Sequence, residues 1–319
     1  LSKGSTYWRS MVVGLGLVVL LVVAPVFLAR FYVYLLALIL VTGLLATSLN
    51  MVLGFGGMYQ FHHAVFYGIG AYAFALMLSK TTLSPVFAFV AAPVAAAILS
   101  LGMGLICVRL SKLYFGMLQL SLGSLVWAVV FRWYSFTGGD DGIHGVPMPS
   151  FISSITSSYY FTLIVAGICL CAMYLIINSP FGRVFQAIRD NPERSEAIGV
   201  NVRLHQLVGL VIAGFFGGIA GMLFVTVEGS VFPDLMFWTL SLEILIMCLL
   251  GGWFTFLGPM LGAAIIVTLR TIVGVYTGYW TMVLAIVLMV LIFFLPQGVL
   301  GYLQARFLPP DTAVLREEK

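Results

Sequence analysis

The sequence predicts an all-α polytopic membrane protein of about ten transmembrane helices, some of them broken or re-entrant. Three observations predict it. Of 319 residues, 62% are hydrophobic and only 8% charged, and the mean hydropathy is +1.12; a soluble domain is about half apolar and about a quarter charged. The apolar residues fall in runs of about 20, the length that crosses a hydrocarbon core as a helix. The basic residues gather in alternate connections between those runs, as they do in polytopic proteins. So little polar surface cannot cover a water-soluble body of this mass, which excludes a soluble enzyme, a nucleic-acid-binding module and a disordered chain. Residues 1–319 read as a single transmembrane domain.

In chain order the spans are Met11–Ala29, Phe31–Leu49, Ala64–Ser79, Pro85–Val108, Tyr114–Phe131, Tyr159–Ile177, Leu207–Val227, Trp238–Leu250, Pro259–Val275 and Tyr279–Leu295. The first is long enough to stay as an anchor and has no cleavable leader pattern. The third and eighth are short, so each is expected to be shielded by protein or interrupted part way across. With the amino terminus inside, eleven basic residues lie in cytoplasmic segments: Lys3, Arg9, Arg109, Lys112, Arg183, Arg189, Arg194, Arg203, Arg306, Arg316 and Lys319. Three (Arg30, Lys80 and Arg132) lie opposite, and Arg270 falls within a span. Both termini are therefore expected in the cytoplasm, with lipid around the bundle. Tyr159, Tyr160, Tyr279 and Trp280 fall at outer interfaces, where amphipathic rings sit. The four cysteines lie in apolar runs without metal-ligand spacing and read as packing residues.

Two connections are long. The outer one, residues 132–158, carries Thr137-Gly138-Gly139-Asp140-Asp141-Gly142-Ile143-His144-Gly145-Val146-Pro147, a turn-rich cap rather than a helix. Two readings stay open for it: a solvated loop over the bundle mouth, or a surface whose Asp140 and Asp141 meet a cationic partner. The inner one, residues 178–206, holds four arginines and three carboxylates (Asp190, Glu193, Glu196). It reads as two short helices. The first covers roughly Phe181 to Arg189. The second opens at the N-cap Asn191 with Pro192 at its first position, has Glu193 near its positive end, and stops at Gly199. Val184, Phe185, Ile188, Ala197 and Ile198 give it apolar contact surface. Its mixed charge favours docking to a soluble partner over adsorption to anionic lipid.

Inside the spans, the run from Asn50 to Tyr72 is rich in glycine and carries Asn50, Gln60, His62 and His63. It is expected to be unwound or re-entrant, a state that survives at depth only beside protein or a water-filled cavity; close helix packing through small residues is the plainer alternative. The His pair has no third metal ligand near it in sequence. Glu243 is the one acidic residue inside these spans. Helical rise places it within roughly 6 Å of the depth of Arg270, so the two either form an ion pair or, if Arg270 reaches the interface, leave Glu243 for a transport role. Gly214, Gly217, Gly218 and Gly221 share a helical face on which another helix can pack closely, within the bundle or in a partner.

Taken in order, these segments resemble a known family. The motifs are Leu49-Asn50-x-x-Leu53-Gly54-x-Gly56-Gly57, His63-Ala64-x-Phe66-x-Gly68-x-Gly70-Ala71-Tyr72, Leu113-Tyr114-Phe115, Thr137-Gly138-Gly139-x-Asp141-Gly142, Ser179-Pro180-x-Gly182-Arg183-x-Phe185-x-Ala187-Ile188-Arg189-Asp190-Asn191, Ala197-x-Gly199-Val200-Asn201, Ser241-x-Glu243, Leu250-Gly251-Gly252, Gly258-Pro259-x-x-Gly262-Ala263 and Pro296-x-Gly298. Together they resemble the LivH/LivM-type permease subunits of branched-chain amino-acid ABC importers, nearer the LivM side. The resemblance runs from about Phe31 to Gly301.

The resemblance implies a type II-like importer permease bundle in a bacterial inner (cytoplasmic) membrane. It implies three kinds of partner: a homologous LivH-like permease, two cytoplasmic ATPase subunits and a periplasmic substrate-binding protein. The inner connection becomes the coupling segment, with Arg183, Phe185, Ile188, Arg189, Asp190, Asn191, Glu193, Glu196 and Gly199 as its candidate residues. The expected pathway residues are Asn50, Gln60, His62, His63, Phe66 and Glu243. Gly139, Asp140, Asp141 and His144 are the expected docking surface for the binding protein. The chain carries no phosphate-loop motif, so it is expected to be a translocation subunit without a cofactor, with ATP and Mg on the ATPases. Family members commonly read Ser-Leu-Gly before the His-Ala pair, where this chain reads Gln60-Phe61-His62. That departure leaves the solute open between hydrophobic amino acids and urea, short amides or aromatic acids. Two other classes are weighed: a secondary transporter or channel, for which Glu243 alone makes a poor proton relay, and an intramembrane enzyme, for which only His62, His63 and Glu243 are at hand.

Overall fold

The computed structural model describes residues 19–81, 84–110 and 112–276, with Gly16 and short stretches between 278 and 301. The start of the first expected span, most of the tenth, Lys3, Arg9, the Lys112 side chain, Trp280, Pro296, Arg306, Arg316 and Lys319 lie outside the described residues. Among the described residues six helices are long and apolar enough to cross a membrane, and two more are apolar but shorter.

In order, and after a helical stretch at 19–27, these helices are α1 (Arg30–Asn50), α2 (Ala64–Lys80), α3 (Pro85–Cys107), α4 (Lys112–Arg132), the one-turn α5 (Tyr134–Thr137), α6 (Ile155–Asn178), α7 (Pro180–Asp190), α8 (Pro192–Ala197), α9 (Val202–Glu228), α10 (Trp238–Gly251) and α11 (Gly258–Tyr276). All eight spans expected between Phe31 and Val275 are helices. The largest differences lie at two starts, where polar caps extend the helix beyond its apolar run. Asn201 Oδ1 accepts from the Leu204 N–H at 3.1 Å and starts α9 at Val202 rather than Leu207. Ser154 and Ser157 form a reciprocal capping box that starts α6 at Ile155 rather than Tyr159.

Burial sorts the helices into centre and rim. The apolar stretches of α1 and α9 are 72% buried, those of α4 and α6 only 28%. Glycine makes the centre possible. A Cβ on Gly218 would strike Ala96 of α3, one on Gly70 would strike the backbone of Gly218, and one on Gly221 would strike the backbone of Tyr67. The glycine face of α9 is therefore occupied inside this bundle, by α2 and α3.

The helix ends sort to two opposite sides. On one, the end of α1 meets α7 and the α10–α11 corner: Arg189 Nη1 donates to Gly54 O at 2.9 Å and Asn50 Nδ2 to Thr255 O at 3.1 Å. On the other, Lys80 Nζ donates to Ser135 O and Phe136 O at 3.1 and 2.6 Å, and Ile143 pairs with Val231 in an isolated antiparallel bridge.

Candidate functional site

The expected irregular run from Asn50 to Tyr72 is narrower than the sequence suggests. Helix α1 continues through a π-helical turn at Met51–Phe55, and α2 has begun by Ala64, leaving only 56–63 outside a helix. The reason is that Gly68 and Gly70 serve contact rather than unwinding, facing Met236 and Gly218. The break itself sits at Gly57, whose φ of +65° is a conformation that glycine adopts without the Cβ clash of other residues. Each end of the break is held from far away in the chain. At the closing end of the π turn, Gly54 O accepts from the Arg189 guanidinium. At the opening end, the Ala64 N–H donates to Ser241 Oγ of α10 at 2.9 Å, satisfying one of the donors that a helix start leaves unpaired.

Five of the expected pathway residues lie in four places. His63 turns towards α1 and α9: its Nε2 lies 2.8 Å from Ser48 Oγ, its ring packs edge-on against Phe66, and Gly217 gives it room. His62 turns the other way, onto Gly123 of α4. The two rings thus diverge, and among the described residues no three His, Cys, Asp or Glu side chains gather as metal ligands. Asn50 is bound at the end of α1, to Thr255 O of the α10–α11 corner. Glu243 lies apart with Arg270, Oε1 to Nη1 at 3.5 Å; the carboxylate side chain is 12% exposed and the guanidinium 57%. Of the two arrangements open in the sequence, the structure has the paired one.

Gln60 and Gln119 have no exposed surface, and neither amide nitrogen nor amide oxygen has a hydrogen-bond partner among the described residues. His62 is 1% exposed and its ring bonds, among the described residues, to nothing beyond its own backbone. Such groups are rare in folded proteins, and leaving one buried and unpaired costs about 1–3 kcal/mol. Gln119 was not among the sequence candidates; it sits among apolar neighbours in the span Tyr114–Phe131. A signal was present: Gly116, Gln119 and Gly123 are spaced three and four residues apart and share one face of α4.

The inner connection forms the two expected helices, α7 and α8, with Ser179 and Asn191 as side-chain caps. Gly199 follows with φ +90°, and Val200 N–H closes back to Ser195 O at 3.1 Å. Phe185 and Ile188 are buried, three residues apart on the face of α7 that meets the bundle. The Phe185 ring fills a slot between Gly56 and Gly209, where a Cβ on either glycine would collide with it. Arg189 runs beside them, 20% exposed, with its guanidinium 5.4 Å from the Phe254 ring. It also pairs with Asp190 at 2.8 Å, but Asp190 is 67% exposed. An exposed pair is worth about 0–1 kcal/mol, and a charged hydrogen bond to a sheltered carbonyl about 1.5–3 kcal/mol, so Gly54 is the contact that positions Arg189. Arg183, Asp190, Asn191, Glu193, Glu196 and Gly199 face away from the bundle.

On the opposite side, the outer connection is a closed cap. Gly142, at φ +72°, lies where any Cβ would meet Val231 O, and Ile143 and Val231 exchange N–H···O bonds of 2.7 and 2.9 Å. Asp140, Asp141 and His144 are exposed, while Gly139 is buried under Tyr134. The Tyr134 hydroxyl donates to Asp141 at 2.7 Å, and this carboxylate pushes the phenol's pKa up.

Comparison with known proteins points the same way as these motifs. A family model described as the permease component of a branched-chain amino acid transport system matches residues 31–293. The high-affinity branched-chain amino acid transport system permease protein LivM of Escherichia coli (strain K12) is 26% identical over 317 residues, covering 89% of this chain and 73% of its own length. The probable branched-chain amino acid transport permease protein LivM of Methanocaldococcus jannaschii is 24% identical over 282 residues, covering 73% and 78%. The autoinducer 2 import system permease protein LsrC of Salmonella typhi is 26% identical over 194 residues, covering 56% and 54%. No solved structure matches the chain.

Proposed function

The chain belongs to the family of branched-chain amino acid transport permease components, and on that premise we propose that it is the membrane-spanning subunit of an ATP-driven importer for branched-chain or related hydrophobic amino acids. It works by alternating access in the bacterial inner membrane, with both termini in the cytoplasm. Its partners are a second, homologous permease, two cytoplasmic ATPases that bind ATP and Mg, and a periplasmic substrate-binding protein. The binding protein docks on the outer cap at Gly139, Asp140, Asp141 and His144.

One observation carries this reading. Helix α7 lies on the connection expected to meet the ATPase, and it grips the α1–α2 break through Arg189 and Phe185. The break in turn carries Gln60, His62 and His63. A helix keeps its backbone hydrogen bonds internal, so α7 moves as a body when its outer face (Arg183, Asp190, Glu193, Glu196) is pushed. The displacement then passes through Arg189 to Gly54 and through Phe185 to Gly56. Closure of the ATPases reaches the middle of the bundle by side-chain contact, in the manner of other interface-driven switches.

The test is purification and reconstitution. Two ATPase chains copurify with the wild-type protein, and deleting Asp190–Gly199 releases them. Solute uptake by this chain alone in liposomes, with no ATPase present, refutes the reading. A second reading keeps the permease and changes the solute to urea, a short amide or an aromatic acid; the polarity of Gln60 and His62 at the break favours it.

A further inference from the structure

The chain from Tyr59 to His62 runs along one face of α4. Tyr59 O and the Phe61 ring lie over Gly116, where an added Cβ would be 2.6 Å from each, and the His62 ring lies over Gly123. Gln119 stands between these glycines on the same face, one turn from either. Gln60 and His62 are carried by the strand of chain that crosses it. All three side chains are buried, and together they hold six nitrogen and oxygen atoms without a hydrogen-bond partner outside their own residue among the described residues. One turn further along the same face, Trp127 has a buried Nε1–H that is also without a partner among the described residues. Among the described residues none of these groups is bonded to a charged side chain.

We propose that Gln60, His62 and Gln119 form a binding site for the polar head of the transported solute, and that this head is net-neutral and carries hydrogen-bond donors and acceptors side by side. The inference rests on the transport reading above and deepens it. The chemistry follows from the groups. Each carboxamide offers two donors and an acceptor, and a neutral imidazole one of each. A solute head that complements them must present both kinds. A net charge held there would lack a counter-charge, which is costly in a buried site. An α-amino carboxylate zwitterion and a carboxamide both satisfy these conditions, while a simple carboxylate does not. The glycines at 116 and 123 contribute close approach, bringing the broken segment down onto α4 so that a moving break opens or closes this face.

The experiment uses the assembled transporter in proteoliposomes and the purified chain. With Gln119→Leu and with Gln60→Leu, uptake is expected to fall by roughly tenfold or more, with Gln119→Asn retaining part of it. Because leucine removes an unpaired buried amide, the melting temperature is expected to hold or rise. Lost uptake together with a lowered melting temperature marks a structural role and overturns the proposal, as does wild-type uptake in both variants. Competition distinguishes the two solute chemistries. Leucine alone competing identifies the zwitterion, and isovaleramide competing as well identifies the amide; 4-methylpentanoate competing equally overturns the net-neutral site. Should the wild-type complex carry none of these, the transport reading fails separately. The site is then decided on the purified chain: a leucine- or isovaleramide-induced rise in melting temperature that Gln119→Leu abolishes supports it, and no rise overturns it.

Discussion

The inner connection (178–206) and the outer one (132–158) are of similar length, and both place glycine at positive φ, yet they are fastened to the bundle by different bonds. The inner one is held by side chains. Phe185 fills the Gly56–Gly209 slot and Arg189 reaches Gly54, while the backbone of α7 keeps to its own helix. The outer one is held through its main chain, which bonds to the α9–α10 corner and also accepts the Lys80 ammonium of α2 at Ser135 O and Phe136 O. Ile143 and Val231 exchange hydrogen bonds, and the Val146 N–H donates to Gly229 O at 3.0 Å. A helix attached only through side chains transmits a push without losing its own structure. A loop bonded through its backbone moves only with what it pairs with, here the α9–α10 corner and the Lys80 end of α2. The first suits a lever, the second a fixed platform.

This comparison breaks most readily at Arg189. Arg189→Glu sets a carboxylate against the Gly54 carbonyl and is expected to bring ATP-coupled uptake to background and to weaken copurification of the ATPases; wild-type uptake would show that the inner connection does not work through this contact. Phe185→Ala empties the slot between two glycines and should destabilise the protein by about 3–5 kcal/mol, read as a lowered melting temperature, with no comparable loss from Phe254→Ala. Gly57→Ala is smaller. It costs about 1–2 kcal/mol for the left-handed backbone and displaces Arg189, whose Cγ would lie 2.6 Å from the new methyl; partial uncoupling, with ATP hydrolysis outpacing uptake, is the expected kinetic signature. Smallest is Asp141→Asn on the platform. Stability should change by no more than about 0.5 kcal/mol, while the affinity for the binding protein falls, as measured by surface binding of that protein to reconstituted vesicles.

Much of the fold was legible in the residues, and the reasons are local. The short reach of α2 and α10 is visible in their apolar runs. Asn191 followed by Pro192 announces the start of α8, since an N-cap oxygen and a ring-fixed φ both act within one turn. The site was legible only in part. Gln60 and His62 stood out as polar residues in a glycine-rich run, but Gln119 was hidden by its apolar neighbours. His62 and His63, adjacent in sequence, face different helices, because the residue in each direction offers a glycine to lie against. Gly68 and Gly70 were open to unwinding or to close packing, since a small residue permits either use, and the structure has them as contact points.

What the sequence by itself determined is the solvent, the helices and their caps: hydropathy, periodicity and capping oxygens act over one span or one turn. What only the tertiary structure decided is which distant groups meet. Arg189 finds Gly54 across 135 residues, Ser241 caps α2 across 177, and Glu243 pairs with Arg270 across 27. Such meetings depend on how helices of similar apolar character pack, and many packings bury the same surface. The choice among them falls to steric fit at glycines and to a few polar bonds, which exist only once the bundle has closed.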